Sequence, residues 1–177
     1  MVTLSLNNID LVQVETYERE IKQNPQEAEF TTRLEGVWNY EEGGPQFSAD
    51  VKTKNGNMTF SLSHPNFSGP GPCPSPMAYG LFWMAGCASS TFMTSAEKKG
   101  IRISSMKTTI EADLNYLKQF GLGERPLISA YRIRFEVISD ASGQELEELR
   151  LDALNGCMAM YTIQNPVPLD LQVENRR

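Results

Sequence analysis

The chain has few of the residues that most metal and hydrolase sites need. Its 177 residues include one histidine, His64, and three cysteines, none of them in a Cys-x-x-Cys pattern. Zinc and related metals are held by clusters of such residues at short spacing, so no metal site is indicated. No Gly-x-Ser-x-Gly sequence accompanies His64, which argues against a serine hydrolase of the α/β type.

Positive charge and long apolar runs are also scarce. The net charge of -6 and the pI of about 4.9 give no basic surface for nucleic acid or anionic membranes. The uncharged run 77–93 is shorter than the roughly 20 residues of a membrane span. The first residues lack the basic and apolar regions of a signal peptide. With an odd number of cysteines, these features predict a cytoplasmic protein with free or redox-active thiols.

No internal repeat or linker divides the sequence, so we expect one domain over residues 1–177, with residues 1–27 as an N-terminal helical extension. Apolar residues at helical spacing predict a helix over 8–23, stopped by Asn24 and Pro25.

Period-two alternation predicts strands over 30–39, 47–52 and 58–62, which form an antiparallel meander. Asn55 and Gly56 tolerate the positive φ of a type I′ turn and predict the hairpin between the last two. Further strands are predicted over 101–114, 127–137 and 169–173.

The residues 76–99 predict a long central helix. Ser75 is a suitable N-cap, Pro76 suits the first helical position, and Lys98 and Lys99 precede a closing Gly100. Apolar or small residues cover every face of this helix, which predicts burial all round. Because one sheet covers only one side, we expect a second copy of the chain to cover another, in a tight homodimer.

A second helix is predicted to open at Ser142 and Glu145, which form a capping box, and to stop at Gly156. The order of elements predicts an α+β fold, with helices on one face of a mostly antiparallel sheet.

Cys87 lies in the middle of the central helix, and Cys157 follows the end of the second helix. Helix amides favour a thiolate and apolar burial disfavours it, so these positions alone predict Cys157 as the more acidic thiol, unless a cation lies beside Cys87. Composition by itself leaves both thiols as candidates for plain packing.

The run Ser75–Cys87, with 96–101 after it, resembles the central helix of the OsmC/Ohr family, the osmotically inducible and organic-hydroperoxide-resistance proteins. The run 149–169, which includes Asn155-Gly156-Cys157, resembles the second-cysteine region of that family. The likeness extends over about residues 30 to 175.

The resemblance implies an OsmC-like fold in an intertwined homodimer and a thiol peroxidase that needs no metal, flavin or haem cofactor. Cys87 would attack an organic hydroperoxide, Cys157 would resolve the sulfenic acid as a disulfide, and a dithiol reductant would recycle it. An apolar substrate pocket would be lined by Phe82, Met84, Phe92, Met158 and Met160.

Three positions differ from the family pattern. Met77 replaces the usual glutamate, the turn 41–46 lacks the usual arginine, and Met158 replaces a common proline. Since a buried thiol ionises near neutral pH only beside a cation, these differences keep open a second hypothesis. In it the chain is a catalytically weak or inactive relative that binds a small apolar ligand at the dimer interface. Cys73 is predicted to be a bystander, with a resolving role as the alternative.

Overall fold

The computed structural model describes residues 5–64, 69, 71 and 73–175. They form four α-helices and five β-strands, with one short 3-10 helix at Pro25–Ala28. The helices are α1 (Leu11–Gln23), α2 (Pro76–Lys98), α3 (Gly143–Gly156) and α4 (Met158–Gln164). The strands are β1 (Gly36–Trp38), β2 (Phe47–Thr53), β3 (Gly56–Leu62), β4 (Ile103–Leu114) and β5 (Ile128–Ser139).

The predicted α+β class and antiparallel pairing are confirmed, but the strands form two sheets instead of one. One sheet has the order β1-β2-β3 and the other pairs β4 with β5. Contacts along the chain group the described residues into two units. We call residues 10–83 the N-terminal unit, and residues 5–9 with 84–175 the C-terminal unit.

The N-terminal unit contains α1 and the three-stranded sheet. Helix α1 begins at Leu11, three residues later than predicted, because Asp10 caps it by accepting from the Gln13 amide at 3.1 Å and Asn8 has a positive φ of 59°. The predicted first strand is too long: only Gly36–Trp38 pairs with β2, and residues 30–35 form no strand.

The predicted hairpin between β2 and β3 is confirmed, with a different turn. Thr53 pairs with Gly56, so the loop residues are Lys54 and Asn55, and only Gly56 takes a positive φ, 118°. The Thr53 hydroxyl donates to the Gly56 carbonyl at 2.7 Å, which fixes the turn. A turn followed by such a glycine is a common alternative to type I′.

Both ends of α2 form as predicted. The Ala78 amide donates to the Ser75 hydroxyl at 3.2 Å. At the other end Gly100 has a φ of 68°, and the amides of Gly100 and Ile101 donate to the carbonyls of Glu97 and Ala96 at 3.0 and 2.9 Å. This pair of hydrogen bonds is a Schellman motif, which needs a left-handed residue at Gly100.

We therefore expect Gly100→Ala to lower the free energy of unfolding by about 1 to 2 kcal/mol, because a Cβ is penalised in the left-handed region. Gly80→Ala is the matched control. Gly80 lies inside α2 with open space at its Cβ position, so alanine there should stabilise by about 0.5 to 1 kcal/mol. Urea unfolding of both variants measures the two effects, and equal values would contradict the assignment.

A single chain buries only one face of α2, so burial on all sides stays a prediction that depends on a second copy. The buried apolar residues of α2 are Met84, Ala88, Phe92 and Ala96, which follow one another at intervals of one turn. Phe82, by contrast, is 76% exposed. Residues four apart lie on the same face of a helix, so these four residues form one buried stripe along α2.

The core of the C-terminal unit joins that stripe to α3 and the strand ends. It comprises six buried residues, Phe92, Ala96, Ile101, Ile103, Leu149 and Ala153. The rings of Phe92 and Phe135 pack with centroids 5.1 Å apart. Apolar and charged residues alternate along β5 as predicted, with Arg132 on the exposed side paired to Asp113 at 2.6 Å.

Residues at the N-terminus are anchored to the end of α2 in this unit. The buried carboxylate of Glu97 accepts from the amides of Leu6 and Asn7 at 3.0 and 2.8 Å. The Asn7 side chain donates to the Ile101 carbonyl at 2.8 Å and accepts from the Ile103 amide at 2.9 Å. Every polar group in this network has a partner, which is what burial requires.

The predicted last strand, 169–173, does not form; these residues are irregular and highly exposed, with Leu171 at 86%. Alternation marks a sequence able to pair, but a strand needs a neighbour, and within the described chain it has none. No helix of the described residues has the length and apolarity to cross a membrane.

Candidate functional site: a pair of thiols between α2 and α3

The elements that carry Cys87 and Cys157 follow directly from the sequence. Cys87 lies at the middle of α2. The capping box of α3 forms as predicted: the Glu145 amide donates to the Ser142 hydroxyl, and the Ser142 amide donates to the Glu145 carboxylate at 2.7 Å. Cys157 is the single residue between α3 and α4, with an extended backbone.

Helix α3 packs against α2 through one large side chain, Leu149, and two small residues, Ala153 and Gly156. Leu149 and Ala153 pack in the core beside Phe92 and Ala96. One residue before Cys157, a Cβ added to Gly156 would lie 3.4 Å from the side chain of Thr91. Thr91 is one turn beyond Cys87 on α2, so the end of α3 approaches the helix face that carries Cys87.

The structure brings the two thiols together. Both are free cysteines; Cys157 is 1% exposed and Cys87 is partly buried. Burial raises the pKa of Cys157, and a hydrogen bond between its thiol and that of Cys87, together with the charge of Cys87, raises it further. The backbone amides of Met160 and Ala159 act in the opposite direction without reversing the shift.

From the position of Cys157 at the start of α4, the sequence predicts that helix amides favour its thiolate. The amides do act in that direction, but the prediction omitted the loss of water around the sulfur. Desolvation is the larger effect for a thiol with almost no exposed surface.

The remaining sequence candidates lie in the N-terminal unit. Cys73 is half-buried in the segment before α2, and Met77 occupies the first turn of α2. The amide of His64 donates to the Gln46 side chain at 2.6 Å. Part of the connection, residues 65–68, 70 and 72, lies outside the described residues.

A polar cluster that the sequence did not reveal joins the C-terminal half of α2 to α3. The Ser95 hydroxyl donates to the Asp152 carboxylate, and the Lys99 ammonium lies 2.9 Å from Asp152 and 3.3 Å from Glu148. These hydrogen bonds, that of Ser95 first and that of Lys99 second, lower the pKa of Asp152. Residues so far apart in sequence give no local signal of their pairing.

Because the fold favours the ionised form of Asp152, its contribution to stability is present above the ordinary carboxyl pKa of about 4 and is lost as pH falls below it. We expect Asp152→Asn to lower the free energy of unfolding at pH 6 by less than about 1 kcal/mol, since the pair is partly exposed. The difference from wild type should shrink between about pH 4 and pH 2. Urea unfolding at several pH values tests this, with the exposed Asp140→Asn as control; a difference independent of pH would contradict it.

An apolar cavity of about 430 Å³ lies within the C-terminal unit, and neither Cys87 nor Cys157 lines it. Ala88, the residue after Cys87, is part of its wall, as is the Arg150–Glu147 ion pair, whose shortest contact is 2.7 Å. Of the predicted pocket residues, Phe92 and Met160 line this cavity, and Phe82, Met84 and Met158 do not. Its other lining residues are Ile133, Phe135, Val137, Gly143, Leu146, Ala153 and Leu154.

Among the described residues, no three His, Cys, Asp or Glu side chains form a group that could hold a metal ion.

Residues 69–172, more than half of the chain, match the family model for OsmC-like proteins. The chain belongs to the OsmC family. In this OsmC-like protein the matched segment begins shortly before α2 and includes both Cys87 and Cys157.

Solved OsmC-like structures show the same fold. An OsmC-like protein from Mycoplasma pneumoniae is 18% identical, with a TM-score of 0.57 over 78% of this chain and 90% of that one. An organic hydroperoxide resistance protein OsmC from Legionella pneumophila is 15% identical, with a TM-score of 0.54 over 77% of this chain and 92% of that one. At sequence identities this low, the structural similarity shows a shared fold only. No curated protein matches the sequence.

Proposed function

We propose that this OsmC-like protein is a cysteine-based thiol peroxidase that reduces organic hydroperoxides, with Cys87 as the peroxidatic and Cys157 as the resolving thiol. The observation that carries the proposal is the interaction of the two thiols, which come from distant parts of the chain. The Legionella pneumophila structure is described as an organic hydroperoxide resistance protein, which supports the same class of substrate here.

The chemistry uses two electrons at each stage. The Cys87 thiolate attacks one peroxide oxygen, the O–O bond breaks, and the alcohol leaves after taking a proton, so that Cys87 becomes a sulfenic acid. The Cys157 sulfur then attacks the sulfur of Cys87, water leaves, and a disulfide forms. A dithiol reductant returns both cysteines to thiols.

The raised pKa of Cys157 supports this division of roles. Burial is the largest cause of that shift, so Cys157 keeps its proton while Cys87, the more exposed thiol, meets the hydroperoxide. The same proton becomes available when Cys157 attacks, because the departing hydroxide of the sulfenic acid needs one to leave as water.

We further propose that the protein is an intertwined homodimer in the cytoplasm. The exposed Phe82 and Trp83 on α2 are large apolar side chains that a second copy would cover. Residues 30–35 and 169–173 alternate in polarity and pair with nothing in the described chain, so they are available as strands to a partner subunit.

The apolar cavity beside Ala88 favours a second candidate function, binding of a small apolar ligand without turnover. Its volume of about 430 Å³ lies in the range of small-molecule sites. The two functions are separated by counting free thiols after treatment with cumene hydroperoxide, because only the peroxidase consumes thiols.

A further inference from the structure

The two sulfurs of the site differ in how far a second molecule can reach them. Cys157 is fully buried, with 1% of its surface exposed, and the nearby Ala153 and Ala159 are buried as well. Within a single chain, Cys87 on α2 keeps part of its surface exposed, and the residue before it, Gly86, is exposed. This difference in exposure between the two cysteines affects the step in which the disulfide is reduced.

We infer that the dithiol reductant attacks the Sγ of Cys87 in the Cys87–Cys157 disulfide and that Cys157 is the sulfur that leaves. The inference takes the disulfide pair from the proposed function and adds the direction of its reduction. Thiol–disulfide exchange depends on which sulfur the incoming thiolate can approach, and the nucleophile must arrive on the side opposite the bond that breaks.

The electrons and protons balance as follows. One thiolate of the dithiol bonds to the Cys87 sulfur, the Cys87–Cys157 bond breaks, and Cys157 leaves as a thiolate that takes up a proton. The second thiol of the reductant then attacks its own sulfur in the mixed disulfide and releases Cys87. The protein gains two electrons, and the reductant leaves as a disulfide.

A competing route runs through the cleft of about 410 Å³ formed by residues 155–158, 161 and 162. This cleft is open to solvent beside Met158 and Tyr161, and Cys157 contributes to its wall. Only 1% of Cys157 is exposed, however, so almost none of its surface is open to a thiol in the cleft. Attack there requires the Cys157 sulfur to become more exposed.

Departure of Cys157 is opposed by its raised pKa, since weakly acidic thiols leave slowly. Two causes of that shift, the hydrogen bond and the charge of Cys87, end once the Cys87 sulfur is bonded to the reductant. The amides of Met160 and Ala159, which stabilise the thiolate, remain. Access therefore decides the direction.

The test uses the Cys73→Ser variant, because trypsin leaves Cys73 and Cys87 on one peptide, between Lys54 and Lys98. The Cys87–Cys157 disulfide is formed with diamide, mixed briefly with 2-mercaptoethanol, quenched in acid and alkylated with N-ethylmaleimide. Peptide mass spectrometry should find the mercaptoethanol adduct on Cys87 in at least about tenfold excess over Cys157, because exchange follows access. An adduct mainly on Cys157, or equal amounts on both, would overturn the inference.

A second measurement does not require the disulfide. In the Cys73→Ser background, Cys87 of Cys157→Ser should react with dithiobis(nitrobenzoate) at least about tenfold faster than Cys157 of Cys87→Ser, because access governs the rate. Equal rates would contradict the inference. If diamide forms the disulfide and cumene hydroperoxide does not, the proposed peroxidase function fails while the direction of reduction is still measured. If diamide forms no Cys87–Cys157 disulfide, both fail.

Discussion

Treatment of the wild-type protein with one equivalent of cumene hydroperoxide should reduce its free thiols from three to one, while Cys87→Ser should keep both of its thiols. Cys87 is the more exposed thiol of the pair, and its neighbour Cys157 is buried with a raised pKa. Removing the nucleophile should slow hydroperoxide consumption by at least about a thousandfold, because the hydroxyl of serine lacks the reactivity of a thiolate.

Two further variants show which cysteine is lost at each stage of the thiol count. Cys157→Ser should still react once and lose the Cys87 thiol as a sulfenic acid, which a dimedone adduct on Cys87 would detect. Cys73→Ser should form the same disulfide as wild type and retain no free thiol. If wild type keeps all three thiols, the peroxidase proposal is wrong and the ligand-binding candidate gains support. If Cys73→Ser alone prevents the disulfide, Cys73 is the resolving thiol instead.

The parts of the fold that the sequence predicted correctly are those specified by neighbouring residues. The cap at Ser75, the left-handed Gly100 and the capping box of Ser142 and Glu145 are local hydrogen-bond patterns, so a few residues suffice to predict them. The alternation along β5 is of the same kind. Residues 169–173 have the same alternation and form no strand, because pairing depends on a neighbour that local sequence does not reveal.

Sequence resemblance suggested which cysteines to pair but could not give their electrostatics. It indicated Cys87 and Cys157, and in the structure the Cys87 thiol is one cause of the raised pKa of Cys157. The direction of the Cys157 pKa shift depends on how far the folded chain buries this thiol, which sequence position does not show. The Asn7–Glu97 network was equally hidden, since it joins residues 90 positions apart.

We expect the approach of the two thiols to depend on how firmly α3 packs against α2, and Leu149 is a fully buried side chain of α3 in that packing. It is 0% exposed and lies in the core with Phe92, Ala96, Ile101, Ile103 and Ala153. It precedes Cys157 by two turns on the helix that ends just before that cysteine. Stability and the thiol contact should therefore be linked through this one residue.

We expect Leu149→Ala to lower the free energy of unfolding by about 3 kcal/mol, because deletion of a fully buried leucine loses its burial and leaves a cavity that the core only partly fills. Leu151→Ala is the matched control, since Leu151 lies on the same helix and is 39% exposed; it should cost about 0.5 kcal/mol. Urea unfolding of the reduced proteins measures both.

Because a loosened α3 holds Cys157 less closely to Cys87, Leu149→Ala should also form the diamide disulfide more slowly than Leu151→Ala at the same thiol concentration. Equal losses of unfolding free energy in the two variants would show that Leu149 does not hold α3 to α2. Equal rates of disulfide formation would show that the approach of the two thiols does not depend on Leu149.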